Sequence, residues 1–198
     1  MIGSLHSGLV FPRRIRVLTE SIAREVENAG SLLDVGCGDG SLAKNISEQY
    51  SDLMVKGVDV LPREETHIDV TFFDGKKIPF EDNSFDAIMC VDVLHHTDDP
   101  TVLLKEFQRV ARDSVIIKDH FNNGPLSHQR LSFMDWVGNA RYGVNLPYNY
   151  LNHDEWHRAW ESSGLSIKSL KTELGLYPFP INLVFEYGLH FVVHLQPK

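Results

Sequence analysis

The chain has 198 residues, and its 19 Lys and Arg residues against 27 Asp and Glu residues give a formal net charge of −8. This length predicts a single domain, and 42% hydrophobic with 23% charged residues is typical of a globular protein rather than a disordered one. The acidic charge, with no stripe of Lys or Arg, excludes nucleic acid as an expected partner.

Helical and strand patterns alternate along the first 118 residues. An apolar stripe predicts a helix over 12–28, with Pro12 in its first turn and Gly30 ending it. The segments that follow are strand 31–35, helix 41–50, strands 53–60, 68–73 and 85–91, helix 102–111 and strand 114–118. Strands that alternate with helices at this spacing predict βαβ units and a mainly parallel sheet.

This alternation stops after residue 119. The stretch 120–150 is rich in Asn, Gly and aromatic residues and is long for a connection, which is typical of a lid or binding loop. Asn152 and Glu155 form a capping-box pattern that predicts a helix ending at Gly164, and strands are predicted over 165–172 and 187–195. We therefore expect a single domain over residues 1–198. Its parts are a covering helix (1–30), a core (31–119), a lid insertion (120–151) and a C-terminal helix with two strands (152–198).

The segment 174–184 is unusually apolar for a connection between two strands. An exposed patch of this kind would indicate a homodimer contact, a pocket wall or contact with an apolar substrate. Burial against the protein's own sheet is the alternative, and the sequence leaves these alternatives open.

Three glycines, Gly36, Gly38 and Gly40, lie between the strand 31–35 and the helix 41–50. Glycine at alternate positions lets a ligand approach backbone N–H groups closely. Asp59 lies near the end of the next predicted strand, where a carboxylate can accept hydrogen bonds from both hydroxyls of a ribose. The combination of strand, glycine loop, helix and carboxylate predicts a site for a nucleoside ligand.

The glycine spacing distinguishes between classes of nucleoside ligand. A dinucleotide fingerprint has its third glycine three residues after the second, but here Ser41 occupies that place and Gly40 comes one residue early. The run Leu32-Leu-Asp-Val-Gly-Cys-Gly-Asp-Gly40 instead resembles motif I of the class I S-adenosylmethionine-dependent methyltransferases. Two further runs, Ile78-Pro-Phe-Glu-Asp-Asn-Ser-Phe-Asp86 and Val93-Leu-His-His96, resemble segments of the type 11 (ubiquinone/menaquinone-biosynthesis-like) branch. The resemblance covers residues 32–119.

This resemblance implies an α/β fold, a three-layer Rossmann-like sandwich with a seven-stranded, mostly parallel sheet that contains one antiparallel strand. It also implies S-adenosylmethionine as the cofactor and methyl transfer to a small-molecule acceptor as the function. The residues that match the family's cofactor contacts are Asp34, Gly36, Cys37, Gly38, Gly40, Asp59, Val60, Phe73, Asp74, Val91 and Asp92.

Methyl transfer from a sulfonium is an in-line displacement. The protein must therefore orient the nucleophile, exclude water and, for an OH or NH acceptor, remove a proton. Candidate bases follow the fourth and fifth strands, where ligands of an open parallel sheet bind; they are His95, His96, Asp119 and His120. A structural role for one histidine of the pair is the alternative, and a carbon or thiol acceptor needs no dedicated base.

The insertion supplies the candidate substrate residues, which are Trp136, Asn139, Arg141, Tyr148 and Tyr150. Arg141 could pair with a carboxylate or phosphate of the substrate, or equally with a surface aspartate. No metal is expected, because Cys37 and Cys90 lack a metal-ligand spacing, and His153 and His157 fit a solvated helix face without a third ligand.

Two other functions remain open from the sequence. One is a dinucleotide-binding oxidoreductase, and the other is a non-catalytic relative of the fold that binds S-adenosylmethionine. Two cysteines without a disulfide pattern, no signal peptide and no apolar run of ~20 residues predict a cytoplasmic protein without a membrane span.

Overall fold

The computed structural model describes residues 11–61, 63–139 and 147–198. Its helices and strands in chain order are α1 (Phe11–Ala23), β1 (Ser31–Val35), α2 (Ser41–Ser47), β2 (Met54–Asp59), β3 (Asp69–Phe72), β4 (Phe85–Val91), a 3₁₀ turn (Leu94–His96), α3 (Pro100–Val110), β5 (Ala111–His120), α4 (Ser127–Asn139), α5 (His153–Ser162), β6 (Leu165–Lys171), α6 (Asn182–Phe185) and β7 (His190–Pro197).

The strands form one seven-stranded sheet in the order β3-β2-β1-β4-β5-β7-β6. The pairs from β3 to β5 are parallel, whereas β7 is antiparallel to both of its neighbours, β5 and β6. The predicted mostly parallel sheet with one antiparallel strand is thus confirmed. The chain order reverses between β1 and β4, and ligands of open α/β sheets bind in the crevice at such a reversal.

Helices cover both faces of the sheet and give the predicted three layers. Successive side chains of a strand point to opposite faces, so Leu32 packs with Ile22 and Ile46 on one side. Leu33 packs with Phe107 and Trp156 on the other side. The central strands are therefore buried on both faces, and the polar groups that remain there lie at strand ends.

Some predicted boundaries differ from the observed ones because apolar spacing continues beyond the regular helix. Helix α1 ends at Ala23 rather than residue 28, and tight turns follow, in which Glu25 N–H donates to Ile22 O over 2.9 Å. Val26 is still buried, so the turns keep the apolar stripe without the helix. In the same way α2 ends at Ser47 rather than residue 50.

The C-terminal region contains a short helix where a connection was expected. Helix α6 precedes β7, so this strand starts at His190 instead of residue 187. The apolar segment 174–184 is divided, because Leu176 and Tyr177 are buried in the core while Phe179 and Leu183 are exposed. Burial against the sheet therefore accounts for only part of the segment. Within the described ranges, no helix has the length and apolar character needed to cross a bilayer.

Candidate functional site

A cavity of about 540 Å³ lies at the carboxyl ends of β1, β2 and β4, next to the reversal of strand order. Its wall contains glycines and carboxylates from the sequence motifs together with residues that follow β3 and β4. Its lining residues include Gly36, Gly38, Asp59, Asp74, Asp92 and His96. A cavity of this size is typical of a small-ligand site.

The three glycines of the loop have different roles. All have left-handed backbone angles, with φ of 74° at Gly36, 60° at Gly38 and 77° at Gly40. A Cβ at Gly36 would lie 2.4 Å from Val93 Cγ2, and one at Gly40 would lie 2.4 Å from Ile68 Cγ1. A Cβ at Gly38 would meet no heavy atom within 4 Å. Gly36 and Gly40 therefore permit close packing, whereas Gly38 leaves open space in the cavity wall.

Asp59 ties the glycine loop to the end of β2. One oxygen of its carboxylate accepts the backbone N–H of Gly38 over 2.8 Å, and the other accepts that of Leu61 over 2.8 Å. Each oxygen retains a second lone pair, and the residue lines the cavity. Asp59 can thus hold the loop and bind ligand hydroxyls together.

Asp74 has a similar position after β3, the strand that pairs with β2. Its carboxylate accepts the backbone N–H groups of Lys76 and Lys77 over 2.8 Å each, and these bonds lower the pKa of Asp74. Val60 and Phe73 line the same part of the cavity and offer apolar surface for a planar ring.

Asp34 in β1 and Cys37 and Gly40 in the glycine loop do not line the cavity. Asp34 is buried, and no hydrogen bond joins its carboxylate to the described residues. Burial, together with the nearby charges of Asp59 and Asp39, raises the pKa of Asp34 to about 8. Burial is also the main cause that raises the pKa of Cys37. The other predicted cofactor residues line the cavity; they are Gly36, Gly38, Asp59, Val60, Phe73, Asp74, Val91 and Asp92.

Asp92, just after β4, is held by two cations that sequence reasoning missed. Its carboxylate pairs with Arg14 of α1 and with the completely buried Lys118 of β5, and His120 Nε2 lies 3.3 Å away. Burial alone would raise the pKa of Asp92, but the charges of Arg14 and Lys118 outweigh burial and hold it well below its usual range. A lysine in the otherwise apolar run Val115–Lys118 was the signal for the second partner.

His95 lies between two carboxylates in the interior. Its Nδ1 is 2.7 Å from Asp119 Oδ1, its Nε2 is 3.2 Å from Asp135 Oδ2, and the Tyr150 hydroxyl donates to the same Asp135 oxygen. Burial acts to lower the pKa of His95, but the charge of Asp119 outweighs it and the pKa rises to about 10. Asp135, on α4, is a second residue that the sequence did not single out.

Of the four candidate bases, His96 is the one that lines the cavity. Its pKa falls to about 4, chiefly through burial and then through the charge of His95. His120 is buried, and its Nδ1 is 3.0 Å from His190 Nδ1. Burial is the main reason that the pKa of His120 lies well below its usual value. His95, His120 and Asp119 thus form the buried layer behind His96.

The candidate substrate residues are not brought together. Tyr150 is buried against Asp135, Tyr148 is half-buried beside Tyr150, and Trp136 is 57% exposed on α4. Arg141 lies outside the described residues, as does the side chain of Asn139. Among the described members of the set, none lines the cavity.

The family model described as "Methyltransferase domain" matches residues 11–170. A curated relative, (S)-tetrahydroprotoberberine N-methyltransferase of Eschscholzia californica, is 26% identical over 127 residues, which is 57% of this chain and 36% of the relative. The chain spans about a third of the length of such curated relatives.

Solved structures match the fold over most of the chain. A SAM-dependent methyltransferase from Aquifex aeolicus has a TM-score of 0.61 and 21% identity over 91% of this chain and 89% of its own. The [4+2]-cyclase SpnF has a TM-score of 0.66 and 16% identity over 91% of this chain and 80% of its own. At these identities the likeness is one of fold.

Proposed function

This chain belongs to the methyltransferase domain family, and on that premise we propose that it transfers the methyl group of S-adenosylmethionine to a small-molecule acceptor. The observation that carries the proposal is the cavity wall formed by Gly38, Asp59 and Asp74. These residues match the family's cofactor contacts and face one space of about 540 Å³. The assignment to the type 11 branch rests on sequence motifs alone and belongs to the same proposal.

The polar groups of the cavity suit the parts of this cofactor. Asp59 would accept the ribose hydroxyls, because each of its oxygens keeps a lone pair beyond the bond from Gly38 or Leu61. Asp74 would accept the adenine amine, while Val60 and Phe73 cover the ring. Asp34 would lie behind the loop on the side of the amino group, where a cation would favour its ionised form.

The sulfonium carries its own leaving group, so the protein has little covalent chemistry to perform. An acceptor O, N, C or S atom forms a bond to the methyl carbon while the bond from carbon to sulfur breaks, and an OH or NH acceptor also loses its proton. Catalysis then depends mainly on alignment and on exclusion of water. His96 and Asp92 border the cavity after β4, at the end where the family places the sulfonium, so we place the acceptor there.

A small acceptor is supported by charge and by the relatives. The net charge of −8 disfavours phosphate-rich polymers, and the name of the Eschscholzia relative specifies N-methylation of a small molecule. The atom that this chain methylates is open to O, N, C or S.

A thermal-shift titration tests the proposal. A ligand that binds only the folded state stabilises it by about 2.7 kcal/mol at one hundred times its Kd, so S-adenosylmethionine should raise the Tm by several degrees. Asp59→Ala should abolish the shift, and His157→Ala, on α5 away from the cavity, should keep it. No shift with millimolar S-adenosylmethionine would overturn the proposal.

Two further measurements separate the alternative functions. A Tm shift with nicotinamide dinucleotides but not with S-adenosylmethionine would favour the oxidoreductase, against which the glycine spacing speaks. Cofactor binding without release of S-adenosylhomocysteine on a panel of hydroxyl, amine, carbon and thiol acceptors would favour a relative of different activity. The likeness to a [4+2]-cyclase makes this second comparison necessary, because the fold accommodates another reaction.

A further inference from the structure

Two imidazole nitrogens beside the cavity are buried without a hydrogen-bond partner among the described residues. They are His95 Nε2 and His96 Nδ1. Asp135 Oδ2 lies 3.2 Å from His95 Nε2, but the contact is not aligned as a hydrogen bond. Buried polar atoms are normally satisfied, so His96 Nδ1, which has no partner among the described residues, and His95 Nε2, whose ion pair with Asp135 is not a hydrogen bond, require an explanation.

The separation of these atoms fits a common metal ion. One ligand atom each from His95, His96 and Asp135 lies within 4.8 Å of the others. Two ligands at about 2.0–2.1 Å from a tetrahedral zinc ion lie about 3.3 Å from each other, close to the 3.2 Å between His95 and Asp135. We propose that His95 Nε2, His96 Nδ1 and the Asp135 carboxylate form a site for a divalent transition metal ion, with zinc as its reference occupant.

The surroundings of His95 are those of a metal-binding histidine. Its other nitrogen, Nδ1, lies 2.7 Å from Asp119 Oδ1, the arrangement that fixes the ring of a ligand histidine and leaves Nε2 as the donor atom. Asp119 is itself fixed, because it accepts the backbone N–H groups of Leu94 over 3.1 Å and His120 over 2.8 Å. Asp119 is therefore a positioning residue for the site.

The carboxylate of Asp135 is positioned as well. The Tyr150 hydroxyl donates to Asp135 Oδ2, and its ring is stacked on His95 with the centroids 5.5 Å apart. Both Asp135 and Tyr150 are buried. The buried contact with Tyr150 thus holds Asp135 of α4 close to His95 and His96 of the 3₁₀ turn.

A second group of potential ligands is close by and consists of His95, Asp119 and His120. Its ligand atoms already have partners within the protein. Asp119 accepts from His95 and from two backbone groups. His120 faces His190 at 3.0 Å and Asp92 at 3.3 Å. We therefore assign the metal to the first group.

Three protein ligands leave a coordination position for an exogenous atom, which is typical of catalytic rather than structural zinc sites. His96 also lines the cavity, and we include in the proposal that a metal held here would acidify the proton of an acceptor oxygen or nitrogen bound at that position. This role rests on the proposed function, whereas metal binding does not.

Metal binding can be measured on the full chain in the absence of S-adenosylmethionine and acceptor. His153 is exposed and His157 is half-buried, and their ring centroids are 4.3 Å apart. This pair could bind metal outside the proposed site, so the His153→Ala protein is the background for every measurement. After treatment with a chelator, the protein is titrated with Zn²⁺ and with Co²⁺. We expect one tightly bound equivalent, the absorption bands of a Co²⁺ site with nitrogen and oxygen ligands, and a raised Tm.

Variants of the ligands assign the site. Asp135→Asn and His96→Gln should weaken metal binding by at least tenfold, and Asp119→Asn should weaken it about 10- to 100-fold as a positioning residue. His128→Ala, on α4 with Asp135 but outside the proposed ligand set, is the matched control and should leave binding unchanged. Circular dichroism verifies that each variant folds.

One measurement uses only the His153→Ala background protein, so its result does not depend on whether the ligand variants fold. In ¹⁵N-detected histidine spectra, Zn²⁺ should shift the signals of His95 Nε2 and His96 Nδ1. Absence of a stoichiometric metal ion would overturn the proposal and leave a protonated His95 between two carboxylates as the explanation. Binding that survives Asp135→Asn and His96→Gln, or zinc shifts confined to other histidines, would also overturn it. A Tm shift with S-adenosylmethionine alone, measured separately, reports on the proposed function and not on this site.

Discussion

The backbone N–H of Gly38 donates to the Asp59 carboxylate over 2.8 Å, and this bond joins the turn after β1 to the end of β2. The carboxylate also accepts Leu61 N–H through its second oxygen. One side chain thus determines the positions of two backbone segments in the cavity wall.

Asp59→Asn should therefore affect both folding and binding. An amide has only one acceptor oxygen, so either Gly38 or Leu61 loses its partner, at a cost of about 1–3 kcal/mol in the free energy of unfolding. The same change should weaken S-adenosylmethionine binding by at least tenfold in calorimetric titrations. Asp69→Asn, on the exposed start of β3, is the matched control and should alter neither quantity. Unchanged cofactor affinity in Asp59→Asn would contradict this role.

Replacing Gly38 with alanine tests whether the ligand approaches this residue, provided that the effect of backbone strain is measured separately. Gly38 and Gly124 both have left-handed φ, 60° and 87°, and a Cβ at either position would meet no heavy atom within 4 Å. Each alanine variant should therefore lose a similar 1–2 kcal/mol of stability from backbone strain. Gly38→Ala alone should weaken cofactor binding, because Gly38 lines the cavity and Gly124 does not. Equal binding by the two variants would show that the ligand does not approach Gly38.

The ion pairs around Asp92 predict that two substitutions lower the free energy of unfolding by different amounts. Asp92→Asn leaves Arg14 and the completely buried Lys118 without their shared carboxylate, and removal of one partner from a buried pair costs about 3–5 kcal/mol. Lys118→Met should cost less, since Asp92 keeps Arg14 and the apolar side chain fills the space. Urea denaturation measures both free energies of unfolding, and a larger loss in Lys118→Met would contradict the assignment.

The raised pKa of Asp34 predicts a specific pH dependence. The folded-state pKa of about 8 lies far above the value of about 3.9 expected in the unfolded chain. Between these values the folded state holds a proton that the unfolded state has lost, so the free energy of unfolding decreases as the pH rises through this window. The groups that face Asp34 and add to the effect are Asp59 and Asp39.

Asp34→Asn should remove this component. The variant should lose less stability than the wild type when the pH is raised from about 5 to about 8, as followed by urea denaturation at each pH. Asp69→Asn again provides the exposed control. Parallel pH profiles for Asp34→Asn and the wild type would show that Asp34 is ionised throughout the range.

The sequence predicted those parts of the site that are encoded locally. Gly36, Gly38 and Gly40 directly follow a strand, and Asp59 ends the next one. The βα turn and the carboxylate beside it can therefore be predicted from residues that are close together in the sequence. The alternation of elements likewise predicted the parallel sheet, because a strand buried on both faces has a distinctive apolar run, as in β4.

The parts that the sequence did not predict depend on contacts between distant segments. Arg14 reaches Asp92 across 78 positions of the chain, and no spacing rule connects a helix to the end of β4. Asp135 lies in the insertion, which has no repeating pattern, and its relation to His95 appears only once α4 packs over the 3₁₀ turn. The histidine pair was identified, but which ring lines the cavity depends on how that turn is oriented.

The position of β7 between β5 and β6 has a consequence for assembly of the sheet. β6 precedes β7 in the chain, yet its only strand partner among the described elements is β7. Until β7 is inserted, β6 and β5 each present an unsatisfied edge, and such edges can pair with another molecule. Insertion of a strand between two others is a long-range step, which is slow in folding. Refolding yield should therefore fall as protein concentration rises, with residues 165–171 among the first to join an intermolecular sheet.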